Sequence, residues 1–438
     1  MKTILIIYPH WYPANLAGVH RPRLIGNFLN HFDWKVRVLT VKANHFEEAP
    51  DKDFKSTFSS NFEVSRVNAF PISKPRLIGD IGIRAFFQLY KKGKEIIRQE
   101  KPDFLWIPIP SFYTSLLGRL LHDKTGIRYG IDYIDPWVRD LTNQKSIKAH
   151  LSQLVARRFE PFAIKKASLI SGVSLPYYQD VIKRNFPKIG SQLGSTSLTT
   201  SPRQPVPRNP HTNLPFTDVA MPYGFDPNDH AVKVENIQFP WKNKKERKIW
   251  LYAGAFLPNS HLILQAFFES IKNLRKVNKW DEETDLWFIG TGNYPSKTIE
   301  AYAKDFNLTD IVTEHRRRYP FLHVLNFLAE VDTVMIIGST EKHYTASKTF
   351  QALLSQRPVV AAFHIESSAI QVMAETKADN FTVGYKPNMT HLQLVESFEE
   401  VLLNRLNKPN WQPDLSALDQ YSAEKSAKQL AAAIERIL

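Results

Sequence analysis

No cysteine occurs among the 438 residues. Disulfides, thiolate metal sites and cysteine nucleophiles are therefore excluded. No apolar run reaches the ~18 residues that would cross a bilayer. The opening stretch Ile4-Leu5-Ile6-Ile7-Tyr8 is too short for a secretory leader and reads as a buried first strand. Metal-binding spacing is missing, since His10, His20, His31 and His45 form no HxxxH pair. There is no GxGxxG, no GxxxxGK[ST] and no Gly-x-Ser-x-Gly elbow. The basic–aromatic signatures of the common nucleic-acid modules are also missing, so no nucleic-acid partner is expected.

Positive charge is abundant but one-sided. The formal charge is +14, and residues 1–228 carry 32 Lys+Arg against 18 Asp+Glu while residues 229–438 carry 25 of each. The whole excess lies in the first half. It is available to an anionic partner, phosphate or lipid surface, or is simply scattered surface lysine. Hydrophobic residues make up 43% and charged residues 23%, the balance of a globular protein. The length exceeds one ordinary core, so two domains are expected.

Short apolar runs alternate with amphipathic stretches, twice over. In the first half, strands are expected at 4–8, 36–41, 104–109 and 129–134, and helices at 21–31, 83–99 and near 115–122. The same alternation restarts after residue 245, with strands at 249–253, 285–289, 331–337 and 358–362 and helices at 262–273, 296–306 and 347–354. This pattern predicts α/β architecture with two doubly wound parallel sheets and a ligand cleft between them. The domains are expected at 1–228 and 245–410, with 411–438 as a terminal helical segment. Residues 191–222 are rich in Ser, Thr, Pro and Asn and read as a long loop.

Several residues could carry chemistry. Gly18 precedes a helix, where a ligand can approach the backbone, and Arg21 adds a full charge; the same glycine is equally a routine turn. Asp132 and Asp135 sit at a strand end, as catalytic carboxylates or, respectively, as an arginine partner and a helix cap. Ser347, Lys348 and Thr349 open a helix that would aim amides and a cation at an anion, and Arg318 and Gly254 begin or end comparable elements. The basic amphipathic stretch 83–98 could lie on an anionic membrane or pack on its own sheet.

Taken in order, these landmarks resemble the family 4-like glycosyltransferases of bacterial surface-polysaccharide and exopolysaccharide synthesis. The resemblance rests on Gly18-Val-His-Arg21, Asp132-Tyr-Ile-Asp135-Pro-Trp137, Glu160 ahead of 167–174 and Pro222-Tyr-Gly-Phe-Asp226. It continues through Leu251-Tyr-Ala-Gly254, Phe288-Ile-Gly-Thr-Gly292, Arg318-Tyr-Pro-Phe321 and the segment from Ser347 to Pro358. It implies a GT-B fold of two Rossmann-like domains facing a cleft. It also implies a nucleoside-diphosphate sugar bound mainly by the second domain and a glycan or lipid-linked acceptor bound by the first. Transfer would be retaining and without a metal or other cofactor.

The resemblance puts Gly18, Arg21, Gly254, Arg318, His343, Ser347, Lys348, Thr349 and Gln351 at the donor, and Lys348, Arg318, Asp132 and Asp135 in catalysis. It implies a final helix at 423–437 crossing back to the first domain. The lack of cysteine fits a cytoplasmic location, and the basic half would allow peripheral contact with the inner membrane face. Two departures stand out. His343 and Gln351 occupy places where the family often has glutamates, and Ala255 and Phe256 follow Gly254 where it commonly has cations. A degenerate protein that binds a sugar nucleotide or a partner without transfer is the alternative.

Overall fold

The computed structural model describes residues 1–72, 79–138, 147–187, 216–241, 246–292, 297–342, 347–407 and 411–438; of Ile147, Lys148 and Ser347 only the backbone is described. The chain divides into two compact units, one formed by Met1–Asp226 with Gln420–Leu438 and the other by Pro227–Asp419.

The first unit holds a seven-stranded, all-parallel sheet in the order β3-β2-β1-β4-β5-β6-β7. Its strands are β1 (Lys2–Ile7), β2 (Trp34–Val41), β3 (Glu63–Val67), β4 (Phe104–Ile109), β5 (Tyr129–Tyr133), β6 (Leu169–Gly172) and β7 (Thr217–Ala220). The central strands β4 and β5 are buried along their whole length, as a sheet covered on both faces requires. Pro108 sits inside β4, where a missing N–H would break a ladder. The pairing of β4 with β1 ends at Trp106, so the proline falls beyond it.

Helix α1 (Ala17–Leu29) connects β1 to β2. Between β3 and β4 the expected single helix is two pieces, α2 (Ile81–Arg84) and α3 (Phe86–Glu100), separated at Ala85. Next come α4 (Ser115–Thr125), α5 (Ile147–Ile164) and α6 (Leu175–Asn185). Right-handed crossovers place α3, α4 and α5 on the face of the sheet opposite α1. There α3 packs beside α4 and α4 beside α5, over a core that includes Leu5, Leu39, Leu89, Leu117, Leu121 and Ile164.

The second unit repeats the plan with six parallel strands in the order β10-β9-β8-β11-β12-β13. They are β8 (Lys248–Ala253), β9 (Thr284–Ile289), β10 (Val312–His315), β11 (Thr333–Ile337), β12 (Val359–His364) and β13 (Thr382–Tyr385). Its helices are α7 (Pro227–Ala231), α8 (His261–Lys276), α9 (Ile299–Asp305), α10 (Phe321–Glu330), α11 (Ser347–Leu354), α12 (Ser368–Glu375) and α13 (His391–Asn407). The last helix, α14 (Ala423–Glu435), packs against α1 in the first unit. There the Ala423 amide donates to Phe225 O at 2.9 Å and Ser426 Oγ to Pro222 O at 3.0 Å.

Both sheets are the parallel α/β kind expected from the alternating grammar. Five strands go beyond those expected: β3, β6, β7, β10 and β13, of four or five residues each. One of them, β7, lies inside the stretch expected to be loop, so that loop ends before Thr217; residues 188–215 lie outside the described residues.

Candidate functional site

In each sheet the strand order reverses once, between β1 and β4 in the first and between β8 and β11 in the second. Ligands of such sheets bind outside the carboxyl ends of the strands at that reversal, because the two flanking loops turn to opposite faces and leave a crevice.

At the second unit's reversal, β8 ends at Ala253 and Gly254 follows with φ +137°. Only glycine adopts that conformation without strain. A Cβ on Gly254 would stand 2.3 Å from Lys348 Cε and 2.5 Å from Nζ. The lysine, second residue of α11, therefore crosses directly over the glycine. Its ammonium donates to Tyr252 Oη at 3.0 Å and Ala255 O at 3.3 Å, and lies 4.5 Å from the centroid of the Tyr252 ring. Burial raises the Tyr252 phenol far above its ordinary range, so it stays neutral beneath the cation.

Beside this crossing, Gly290 (φ +69°) and Gly292 (φ +84°) turn the end of β9. Their amides donate to His315 O at 2.8 Å and Arg316 O at 3.0 Å, and the Gly254 amide donates to Ile289 O at 2.8 Å. These bonds tie together the loops that leave β8, β9 and β10.

The start of α11 adds two observations. Thr349 Oγ1 is buried and has no hydrogen-bond partner among the described residues, a rare and costly state for a hydroxyl. Gln351 Oε1 accepts from His230 Nε2 of α7 at 2.5 Å. Burial is the main cause holding His230 below the usual imidazole range, partly countered by that bond, so the ring is neutral near pH 7 and its Nε2–H donates. Ser347 is the first helical residue, not the residue before the helix. Arg318 is exposed in the loop between β10 and α10. His343 lies outside the described residues.

In the first unit, Arg21 and Asp132 come together, and both side chains are 0% exposed. Arg21 Nε donates to Asp132 Oδ2 at 2.5 Å and Nη2 to Oδ1 at 2.9 Å. Nη1 donates to Pro222 O at 2.7 Å, and Ser171 Oγ donates to Asp132 Oδ1 at 2.7 Å. Arg21, expected to approach a diphosphate, and Asp132, expected either in catalysis or as an arginine's partner, neutralise each other inside the fold. The space over Gly18 is filled as well: a Cβ there would meet Tyr8 Oη at 1.9 Å. This glycine makes room for a tyrosine of its own unit. Asp135 is separated from the described start of α5 by residues 139–146, which lie outside the described residues; its charge helps raise the buried Tyr8 and Tyr223 hydroxyls.

The carboxyl ends of β1 and β4 hold further polar groups. Asp80 caps α2 by accepting from the Ile83 amide at 2.9 Å, and burial is the main cause raising its carboxyl above the ordinary range. Burial likewise lowers His10. Ser111 Oγ is buried, has no partner among the described residues and faces Gly82, where an added Cβ would meet it at 2.4 Å. These residues come from three separate segments, so only the folded sheet assembles them.

No protein-family profile matches the sequence, and no curated protein does. Solved structures do match over the whole chain. One is HepE of Anabaena in complex with UDP and glucose, at 13% identity, a TM-score of 0.59 and 100% of both chains. A second is trehalose-6-phosphate synthase from Burkholderia multivorans, at 11% identity and a TM-score of 0.61, covering 100% of this chain and 96% of that one. A third is sucrose-phosphate synthase from Thermosynechococcus elongatus, at 12% identity and a TM-score of 0.58, covering 100% and 95%. The chain has the GT-B fold. Identity this low carries the fold and not the reaction.

Proposed function

We propose that this GT-B protein transfers a sugar from a nucleoside-diphosphate donor to a glycan or lipid-linked acceptor, as the family 4-like resemblance implies. The observation that carries the reading is the Lys348–Gly254 crossing at the reversal point of the second sheet. There a cation from the first turn of α11 lies over the carboxyl end of β8. A departing diphosphate needs such donors, because its charge develops as the anomeric C–O bond breaks.

The transfer we infer is a same-face displacement with retention. The anomeric carbon–phosphate oxygen bond breaks while the acceptor oxygen bonds to that carbon. The acceptor's proton passes to the departing phosphate oxygen. Lys348 and Arg318 offset the negative charge, with no protein nucleophile and no metal ion. Gln351 offers its amide N–H2 to a ribose hydroxyl while His230 holds its oxygen. The acceptor is taken by the first unit.

The test has two stages. Thermal shifts with a panel of nucleoside diphosphates and their sugars should single out one base. Incubation with that donor and candidate acceptors should then yield a glycosylated product, with EDTA making no difference. Stabilisation without any product would favour a binding protein that has lost transfer, the reading that Gln351 and the cation-poor Ala255-Phe256 stretch recommend. A donor epimerised in place would replace the transferase reading. No stabilisation by any nucleotide would remove the donor site altogether.

A further inference from the structure

We propose that residues 43–50 form a lid over the carboxyl end of β1, latched by Arg84, whose opening exposes His10. The proposal goes beyond the donor-site reading and does not rest on it.

The segment is fixed at its two ends and loosely held between them. Before it, the Val41 amide donates to Pro9 O at 3.2 Å and the Lys42 amide to Val67 O at 2.9 Å. After it, the Asp51 amide donates to Pro13 O at 2.9 Å. The buried Asp51 carboxylate accepts from Asn15 Nδ2 at 2.8 Å and from the Phe54 amide at 3.2 Å. In the middle, the His45 amide donates to Lys42 O at 3.1 Å and the Phe46 amide to Ala43 O at 3.0 Å, a turn closed on itself. Ala43, Asn44, Glu47, Glu48, Ala49 and Pro50 are exposed. Phe46 is the apolar foot of the segment. Half-buried, it packs against the core, and its ring centroid lies 5.2 Å from that of His10. A stretch with one apolar anchor and an exposed backbone belongs to the least stable part of a fold and opens without the rest.

One guanidinium latches it. Arg84, the last residue of α2, is buried. Its Nη2 donates to His45 O at 3.2 Å and stands 3.9 Å from Glu47 Oε1, while its Nη1 donates to Phe70 O at 3.0 Å. The Phe70 amide returns a bond to Arg84 O at 3.0 Å, so the latch is itself held at its backbone. On the other flank, Glu48 Oε2 is 3.7 Å from His10 Nε2. Both carboxylate contacts are longer than a hydrogen bond, and surface ion pairs of this kind hold little. The closed position therefore rests on Phe46 and Arg84.

What lies beneath is polar. Burial is the main cause holding His10 below the usual imidazole range, partly countered by Glu48 and Asp80, and its side chain keeps 17% exposure. Burial is also the main cause raising the Tyr8 hydroxyl, with Tyr223, Asp135, Asp80 and Glu48 adding to it. His10 and Tyr8 follow β1 at the reversal point of the first sheet, where a ligand of such a sheet binds. Polar side chains kept from water at a ligand's place fit a closed state. A lid shut over them excludes water, and it must open to admit anything to them.

The test needs no substrate. Hydrogen exchange of the full chain is read by mass spectrometry, beside carbethoxylation of its histidines by diethyl pyrocarbonate. In the parent, the amides of His45 and Phe46 should exchange roughly tenfold or more faster than those of β2, through an opening smaller than global unfolding. Phe46→Ala removes the foot and should speed His10 carbethoxylation roughly tenfold or more, while exposed His150 reacts as before. Arg84→Lys keeps the charge but loses the fork that spans His45 O and Phe70 O. It should do the same, and serves if the alanine variant misfolds. Three results would each overturn the proposal. One is exchange at His45 and Phe46 no faster than in β2. Another is parental His10 reactivity in both variants. The third is a loss of protection that spreads into β2 in both variants, since the segment would then belong to the folding core and not to a lid.

Discussion

Lys348 passes over the Cα of Gly254 so closely that a methyl group there would sit 2.3 Å from its Cε. Gly254→Ala therefore has two costs: displacing the lysine, and holding an L-residue at φ +137°. Strain of this kind is worth about 1–3 kcal/mol. Urea denaturation should register that loss, and nucleoside-diphosphate thermal shifts should shrink at the same time. A variant with parental stability and parental nucleotide response would contradict the crossing.

Lys348→Ala removes the cation without adding bulk. Turnover with the matched donor should fall by roughly 10²–10³, the scale of losing one preorganised donor to developing charge. The melting temperature should stay within a few degrees, since the ammonium is only half-buried. Near-parental turnover would dismiss Lys348 as a diphosphate group.

Arg21→Ala or Asp132→Asn should act on stability. Either change leaves a buried charge or its hydrogen-bonding partners unmatched, at a cost of about 3–5 kcal/mol. Replacing both with apolar residues of similar volume should cost clearly less than the sum of the single changes. Denaturant midpoints across this cycle measure the coupling. Additive losses would show that the pair is not the unit the geometry describes.

His230 gives a pH signature. Its folded value lies below the ordinary imidazole value, so on acidification the unfolded chain takes up a proton before the folded one does. Its contribution to stability is complete above about pH 6.5 and declines as pH falls from there toward the folded value. Gln351→Glu sets a carboxylate against the ring, lifts the imidazole pKa and should flatten this acid-side decline. Unfolding free energies at matched pH values for parent and variant, with imidazole NMR titration, decide it. Identical pH slopes would exclude His230 as the source.

Legibility differed by scale. Long apolar strands such as β1 and β4, and amphipathic helices such as α3, α8 and α11, were readable because burial imposes a period on many consecutive residues. Gly254 and Lys348 were readable as site candidates, each from its place beside a strand end or helix start, but not as partners. The short strands β3 and β7 were not readable, since they are mostly half-buried or exposed and lack the continuous apolar run that marked the equally short β11. His230 facing Gln351 left no local mark because the contact joins distant segments.

The chain alone determined the α/β class, the doubling of the pattern, the absence of thiol chemistry and the confinement of excess charge to its first half. These follow from composition and from periods that burial writes into neighbouring residues. The folded chain decided which charges are consumed and which remain. Arg21 and Asp132, 111 residues apart, look like site residues in a linear reading. The closing of β5 against the start of α1 turns them into a buried pair. Lys348 kept a half-exposed ammonium because Gly254 gave it a path across the sheet's end. A linear sequence does not encode such outcomes locally, because the solvation of a charge depends on what distant strands bring beside it.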